Sequence, residues 1–168
     1  DAIAPARVGN AGRSLRLAGA LALLLPAALL AGAWGSQLIG GLYPCEMCHW
    51  QRWPHYAAIA LAALSFVVPR TSGKRGLVIL AGIAILVSGL IGVFHAGVEY
   101  HWWQGITACA NTLGATGGDL LAAIVRQPVV RCDVPQWSLF GISLAGFNAI
   151  LSIAGALAVL ILATRKRT

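Results

Sequence analysis

Residues 77–98 read LVILAGIAILVSGLIGVFHAGV, an unbroken apolar run without a single Asp, Glu, Lys or Arg. A helix rises about 1.5 Å per residue, so about 20 such residues cross the roughly 30 Å hydrocarbon core of a bilayer. The run is long enough. Arg70, Lys74 and Arg75 stand just before it, and Glu99, Trp102 and Trp103 just after it. Cytoplasmic loops of membrane proteins carry the excess of Lys and Arg, and indole rings favour the membrane–water interface. The run is therefore expected to leave the cytoplasm at its N-terminal end.

Three further spans are expected outward from this one, at about 17–39, 44–68 and 139–163. Together they predict an all-α membrane protein, a four-transmembrane-helix bundle forming one domain over residues 1–168. Pro44 suits a first helical turn, where its missing N–H is unpaired anyway, and Pro54 is expected to kink the second span through its clash with the carbonyl of Trp50. The first apolar run reads as an anchor and not as a cleaved signal, because apolar runs continue to the C-terminus. Arg7, Arg13 and Arg16 precede the first span, and Arg165, Lys166 and Arg167 follow the last. With these clusters and Arg70, Lys74 and Arg75 all inside, both termini are cytoplasmic and two loops, about 40–48 and 99–136, face out. The outer loops hold Glu46, Glu99, Asp119 and Asp133, and all six tryptophans (Trp34, Trp50, Trp53, Trp102, Trp103 and Trp137) fall near outer boundaries. Residues 119–125 are expected to form a short helix lying flat on the membrane.

Composition agrees. The chain is 58% hydrophobic and 10% charged, outside the range of a soluble domain, so the lipid bilayer is its expected partner. Its net charge of +7 does not indicate nucleic acid. A nucleic-acid binder gathers its cations on one face beside stacking aromatics, whereas these form three clusters between apolar spans. No internal repeat or domain linker interrupts the chain.

All four cysteines lie in the outer loops, Cys45 and Cys48 in the first, Cys109 and Cys132 in the second. Cysteines kept only as small core hydrophobes would be expected in the spans, so this distribution points to redox chemistry on the oxidising side, with two disulfides. A C-x-x-C ring is small and easily opened, and a helix N-terminus favours the thiolate of its second cysteine. Cys109 and Cys132, taken alone, would suit a structural staple; beside a redox C-x-x-C they become a candidate relay. Residues 45–49 also spell C-x-x-C-H, the c-type haem attachment pattern. A motif that opens a transmembrane helix and leaves a second cysteine pair unexplained disfavours haem. Zinc held by the cysteines and His49 is disfavoured by the oxidising compartment, so no metal is expected. A four-span scaffold with structural loop disulfides is the remaining non-enzymatic alternative.

Arg52 follows Cys48 by four residues on one helical face. It reads either as a snorkelling interfacial arginine or as a cation that stabilises the Cys48 thiolate and hydrogen-bonds an acceptor's oxygen. His95, Glu99 and His101 gather at the outer end of the third span, where they could supply protons. Asn148 in the fourth span is expected to bond another helix.

Three stretches carry a family resemblance: YPCEMCHWQR at 43–52, the run from His95 to Cys109, and CDVPQWSLFGISLAGFN at 132–148. They resemble the DsbB family of disulfide bond formation proteins, across nearly the whole chain. That resemblance implies a bacterial inner-membrane, quinone-dependent thiol oxidoreductase that reoxidises a periplasmic thioredoxin-like carrier of the DsbA type, sustaining disulfide formation. It implies ubiquinone or menaquinone from the membrane pool as cofactor. Cys109 would be attacked by the carrier, Cys132 would attack Cys45, and Cys48 would face the quinone beside Arg52, with His95 and Glu99 on the same side. Glu46 adds a charge inside the C-x-x-C. A DsbA-type carrier sits near about −120 mV and a glutathione-like buffer at about −180 to −210 mV, so that buffer would reoxidise it uphill by roughly 3 to 4 kcal/mol. A respiratory quinone closes the gap. Proteins resembling vitamin K epoxide reductase reverse the flow, but usually carry the C-x-x-C on a later helix.

Overall fold

The computed structural model describes residues 4–107, 109 and 130–165, with side chains from residue 12 onward. Four helices account for most of these: α1 Ala4–Leu38, α2 Glu46–Val67, α3 Thr71–Glu99 and α4 Leu144–Thr164. A two-stranded antiparallel hairpin, β1 Ser138–Leu139 and β2 Ile142–Ser143, leads into α4. The expected short helix at 119–125 lies outside the described residues.

Among the described residues, three helices are long and apolar enough to cross a membrane: α1 from Gly12 to Leu38, α3 and α4. α2 has the length, 22 residues, but its first half carries Glu46, His49, Gln51, Arg52 and His55 and falls short on hydropathy. The fourth expected crossing therefore has no support from α2's composition. Its support is packing, since α2 lies against both α1 and α3, α3 lies along α4, and α4 returns to α1. α2 runs without a break through Pro54, whose nitrogen cannot donate to the Trp50 carbonyl.

Helix ends follow from local chemistry. Pro69 disfavours helical backbone in Val68, and α2 stops there. α3 closes in a Schellman motif. The N–H of His101 donates to Val98 O at 3.1 Å and that of Trp102 to Gly97 O at 2.8 Å, with His101 at φ 58° in the position usually given to Gly. α4 begins at Leu144 and not at the expected 139, because Phe140 and Gly141 both take positive φ (51° and 77°) and turn the chain as a hairpin. Ser143 then caps the helix, its Oγ accepting from Gly146 N at 3.1 Å.

The bundle has small residues inside and large ones outside. Ala18, Ala22, Ala58, Ala62, Ala81 and Ala156 are completely buried, whereas Leu24, Leu80, Leu90, Ile150 and Ile161 are about half exposed or more. Water would not tolerate that surface over whole helices, but lipid does, and in lipid helices associate by close packing. At Gly92 a Cβ would lie 3.1 Å from Ala145 O and from Ala149 N, so the absence of a side chain lets the α3 and α4 backbones touch.

Candidate functional site

The site forms at the end of the bundle opposite the basic clusters, where the chain enters α2. Cys45 is the N-cap of that helix, in extended backbone, and its Sγ accepts from the Cys48 N–H at 3.3 Å. Cys48 stands in the first turn of α2, at the helix N-terminus expected for the second cysteine, and Cys45 caps that turn. Helical geometry then turns Cys48 Sγ back to 2.8 Å from Cys45 Sγ. Both are free thiols, Cys45 buried and Cys48 partly exposed. Only the other expected disulfide is present, Cys109–Cys132, with Cα atoms 5.3 Å apart. No bond joins the two sulfurs, and the C-x-x-C stands unbridged beside the Cys109–Cys132 disulfide.

His95 on α3, 2% exposed, approaches this pair, its Nε2 lying 3.5 Å from Cys45 Sγ and 3.7 Å from Glu99 Oε1 one turn along. Gln51 sets the ring. Its Nε2 lies 2.7 Å from His95 Nδ1 and donates to Met47 O at 3.2 Å, while its Oε1 accepts from Asn148 Nδ2 at 2.9 Å. With Gln51 donating to Nδ1, the ring proton belongs on Nε2, facing the sulfur and the carboxylate. Asn148 continues inward, its Oδ1 lying 3.0 Å from His55 Nε2 and accepting from Ser152 Oγ at 3.0 Å. Ser88 Oγ, 2.9 Å from His55 Nε2, donates to Gln51 O at 2.7 Å. This network links three helices, as expected of Asn148 but with more members.

Arg52 is 7% exposed and does not snorkel toward water. Its guanidinium carbon lies 5.2 Å from the Trp34 ring centroid, Nη1 donates to Gln37 Oε1 at 2.9 Å, and Nη2 donates to Ala33 O at 3.2 Å. Between α1, α2, α3 and α4 a cavity of about 270 Å³ opens, lined by Cys48, Arg52, His95 and Glu99 and by apolar groups such as Leu30 and Phe147. Buried Arg52 Nε and Glu99 Oε2 have no hydrogen-bond partner among the described residues.

The second cysteine pair packs onto the first. Cys45, Met47, Val98, Cys109 and Cys132 form one buried cluster, with Cys48 and Trp50 against it. Within the second loop Cys132 N donates to Cys109 O at 3.1 Å, and Gln136 Nε2 ties that loop to the first by donating to Tyr43 O at 2.6 Å. Arg131 and Asp133 pair at 2.9 and 2.5 Å, and the hydrogen-bonding guanidinium holds the Asp133 carboxyl below the usual carboxylate range.

The structure thus gathers Cys45, Cys48, Cys109, Cys132, Arg52, His95 and Glu99 around one centre. His101 does not join them; it is exposed and serves the helix end. His49 is exposed and is not among the residues lining the cavity. Sequence reasoning missed Gln51, His55, Ser88, Ser152 and Gln37. A signal was present for most of them: Cys48, Gln51, Arg52 and His55 recur at helical spacing on α2, as do Ser88, His95 and Glu99 on α3.

A family model described as "Disulfide bond formation protein DsbB" matches residues 15–162. Among curated proteins, the chain is 26% identical to an uncharacterised protein of Rickettsia prowazekii, covering 74% of this chain and 73% of that one. It is 29% identical to the disulfide bond formation protein B of a Polaromonas species, covering 87% and 89% respectively. It is 30% identical to that of Verminephrobacter eiseniae, covering 88% and 86%. No solved structure matches.

Proposed function

The chain belongs to the DsbB family, and from that premise we propose that it reoxidises a periplasmic thioredoxin-like dithiol carrier and delivers the two electrons to a membrane quinone. The observation that carries this reading is the single buried cluster of both cysteine pairs, opening onto a cavity lined by Cys48 and Arg52. A membrane protein whose disulfides were only staples would have no reason to pack two pairs together beside a buried arginine.

Electrons enter at the second loop. A carrier thiolate attacks Cys109 and releases Cys132, and the carrier's second thiol resolves the mixed disulfide, so the carrier is oxidised and the loop pair reduced. Cys132 then attacks Cys45, releasing Cys48, and Cys109 closes back on Cys132. The loop is again a disulfide and the C-x-x-C a dithiol, the pattern of bonds present here. Cys109 is 4% exposed and Cys132 fully buried, so carrier docking must open the second loop.

The cavity suits a flat ring, with a mostly apolar surface, the buried Arg52 cation, and polar groups from Gln51, His55, His95, Glu99 and Asn148. Arg52, Cys48, His95 and Glu99 would hold ubiquinone or menaquinone there. When bound, the quinone supplies a sink for two electrons and two protons. The chain supplies the rest. As Cys45 and Cys48 form their S–S bond, two thiol protons leave; His95 Nε2–H faces the Cys45 sulfur and steadies its thiolate, and the Glu99 carboxylate, one turn further on, is the group placed to take a proton. Trp34 and Gln37 hold the Arg52 guanidinium at the cavity wall. α2 completes the fourth crossing, its polar face turned into the bundle. Both termini and the basic clusters lie in the cytoplasm, and the site lies at the periplasmic surface of the inner membrane.

Anaerobic mixing of the purified protein with a reduced DsbA-type carrier and a quinone tests the reading. Quinone absorbance should fall one for one with carrier oxidation. A carrier that stays reduced, or a quinone that is consumed without it, overturns the proposal.

A further inference from the structure

The dithiol state of the site has a second chemistry. Cys45 Sγ, Cys48 Sγ and His95 Nε2 lie within 4.8 Å of one another, and Glu99 Oε1 is 3.7 Å from the same imidazole nitrogen. For Zn–S of about 2.3 Å and Zn–N of about 2.0 Å, a tetrahedral ion needs S···S near roughly 3.8 Å and S···N near roughly 3.5 Å. The Cys45–His95 separation, 3.5 Å, already matches, and the two sulfurs at 2.8 Å must part by about 1 Å, which a small rotation of the partly exposed Cys48 supplies. All four groups line one cavity, so a path for an ion exists. Glu99 Oε2 is buried without a partner among the described residues.

We propose that the reduced C-x-x-C, with His95 and Glu99, is a binding site for a thiophilic cation of the Zn²⁺ type, which caps the enzyme in its electron-loaded state. The step balances as two thiols plus Zn²⁺ giving a zinc dithiolate and two protons, with no change of oxidation state. The oxidised site offers no thiolate, so binding is confined to the reduced form. Ligation through His95 Nε2 moves the ring proton to Nδ1, and the Gln51 amide turns to present its oxygen there, giving up its contacts with Asn148 Nδ2 and Met47 O for the partner that a metal-bound imidazole generally has. His49, which the sequence suggested as a ligand, takes no part. The site comes from α2 and α3 meeting in space.

The proposal stands on the donor geometry alone, and its test uses neither carrier nor quinone. The reduced full-length protein is titrated with Zn²⁺ against a chromophoric chelator, and each cysteine's alkylation is mapped by mass spectrometry. One Zn²⁺ should bind per chain and protect Cys45 and Cys48 together, and reoxidation of that pair should release it. His95→Ala should weaken binding at least about tenfold. Should that variant fold poorly, Co²⁺ bound to the unaltered protein should show the intense visible bands of a tetrahedral thiolate site. Protection of Cys109 and Cys132 alone, unchanged affinity in folded His95→Ala, or a six-coordinate Co²⁺ spectrum overturns the proposal.

Discussion

At the end of the bundle that carries Arg16, Lys74 and Arg165, α1 to α4 meet through Ala18, Ala22, Ala62, Ala81 and Ala163, and Val78 and Val159 fill between them. At the other end the same helices meet through Cys45, Gln51, Arg52, His55, Ser88, His95 and Asn148, nearly all of them hydrogen-bonded across helices. The first interface is held by close van der Waals fit and would accept any small apolar set. The second is specified group by group, because a polar atom without a partner in a low-dielectric interior costs about 1 to 3 kcal/mol. Stability and chemistry are therefore separable along the bundle axis, and substitutions at the two ends should fail in different ways.

The largest effect belongs to the cysteine end. Cys48→Ser removes the sulfur at the cavity wall, and quinone reduction should fall by roughly a thousandfold or more, as for loss of a nucleophile, while helicity by circular dichroism stays native. Retained quinone reduction would reassign the acceptor side. Next comes Arg52→Ala, which loses a charge-assisted hydrogen bond of about 1.5 to 3 kcal/mol, or roughly ten- to a hundredfold in rate at low quinone concentration. Carrier adduct formation at Cys109 should not change; equal losses in both half-reactions would mean that Arg52 only props the fold.

Gly82→Leu addresses the basic end. A Cβ there meets Val159 Cγ1 and Leu160 Cδ2 at 3.1 Å, so the larger side chain should destabilise the bundle by about 1 to 3 kcal/mol in denaturant unfolding. The folded fraction should keep its native turnover rate. A slowed rate at full folding would erase the division between the two ends. The smallest effect is at His101, where φ 58° is strained for a residue with a Cβ. His101→Gly relieves about 1 to 2 kcal/mol of left-handed strain and gives back about 0.4 to 1 kcal/mol through a freer unfolded chain, so it should stabilise by at most about 1 kcal/mol and leave activity unchanged, since the imidazole stands outside the site. Lost activity would return His101 to the proton-handling groups.

The sequence by itself determined the membrane class, since uncharged runs such as 77–98 can satisfy their backbone in lipid only as helices. It also determined the candidate redox residues, because C-x-x-C and the arginine one turn later have fixed local spacing. The family resemblance drawn from YPCEMCHWQR was sound, as the match over residues 15–162 shows. Local pattern stopped short of α4's start, because the backbone of Phe140 and Gly141 makes a hairpin within a stretch that composition alone reads as helix. It marked α2 as less clean than the other spans, with a kink expected at Pro54, and α2 runs on as one helix whose outer half is polar. Only the tertiary structure decided that Gln51, His55, Ser88 and Asn148 form one network and that His95, 50 residues from Cys45, touches its sulfur. Helical spacing shows which residues share a face. Which face of another helix it meets is set by close packing through residues such as Gly92, which no local pattern encodes.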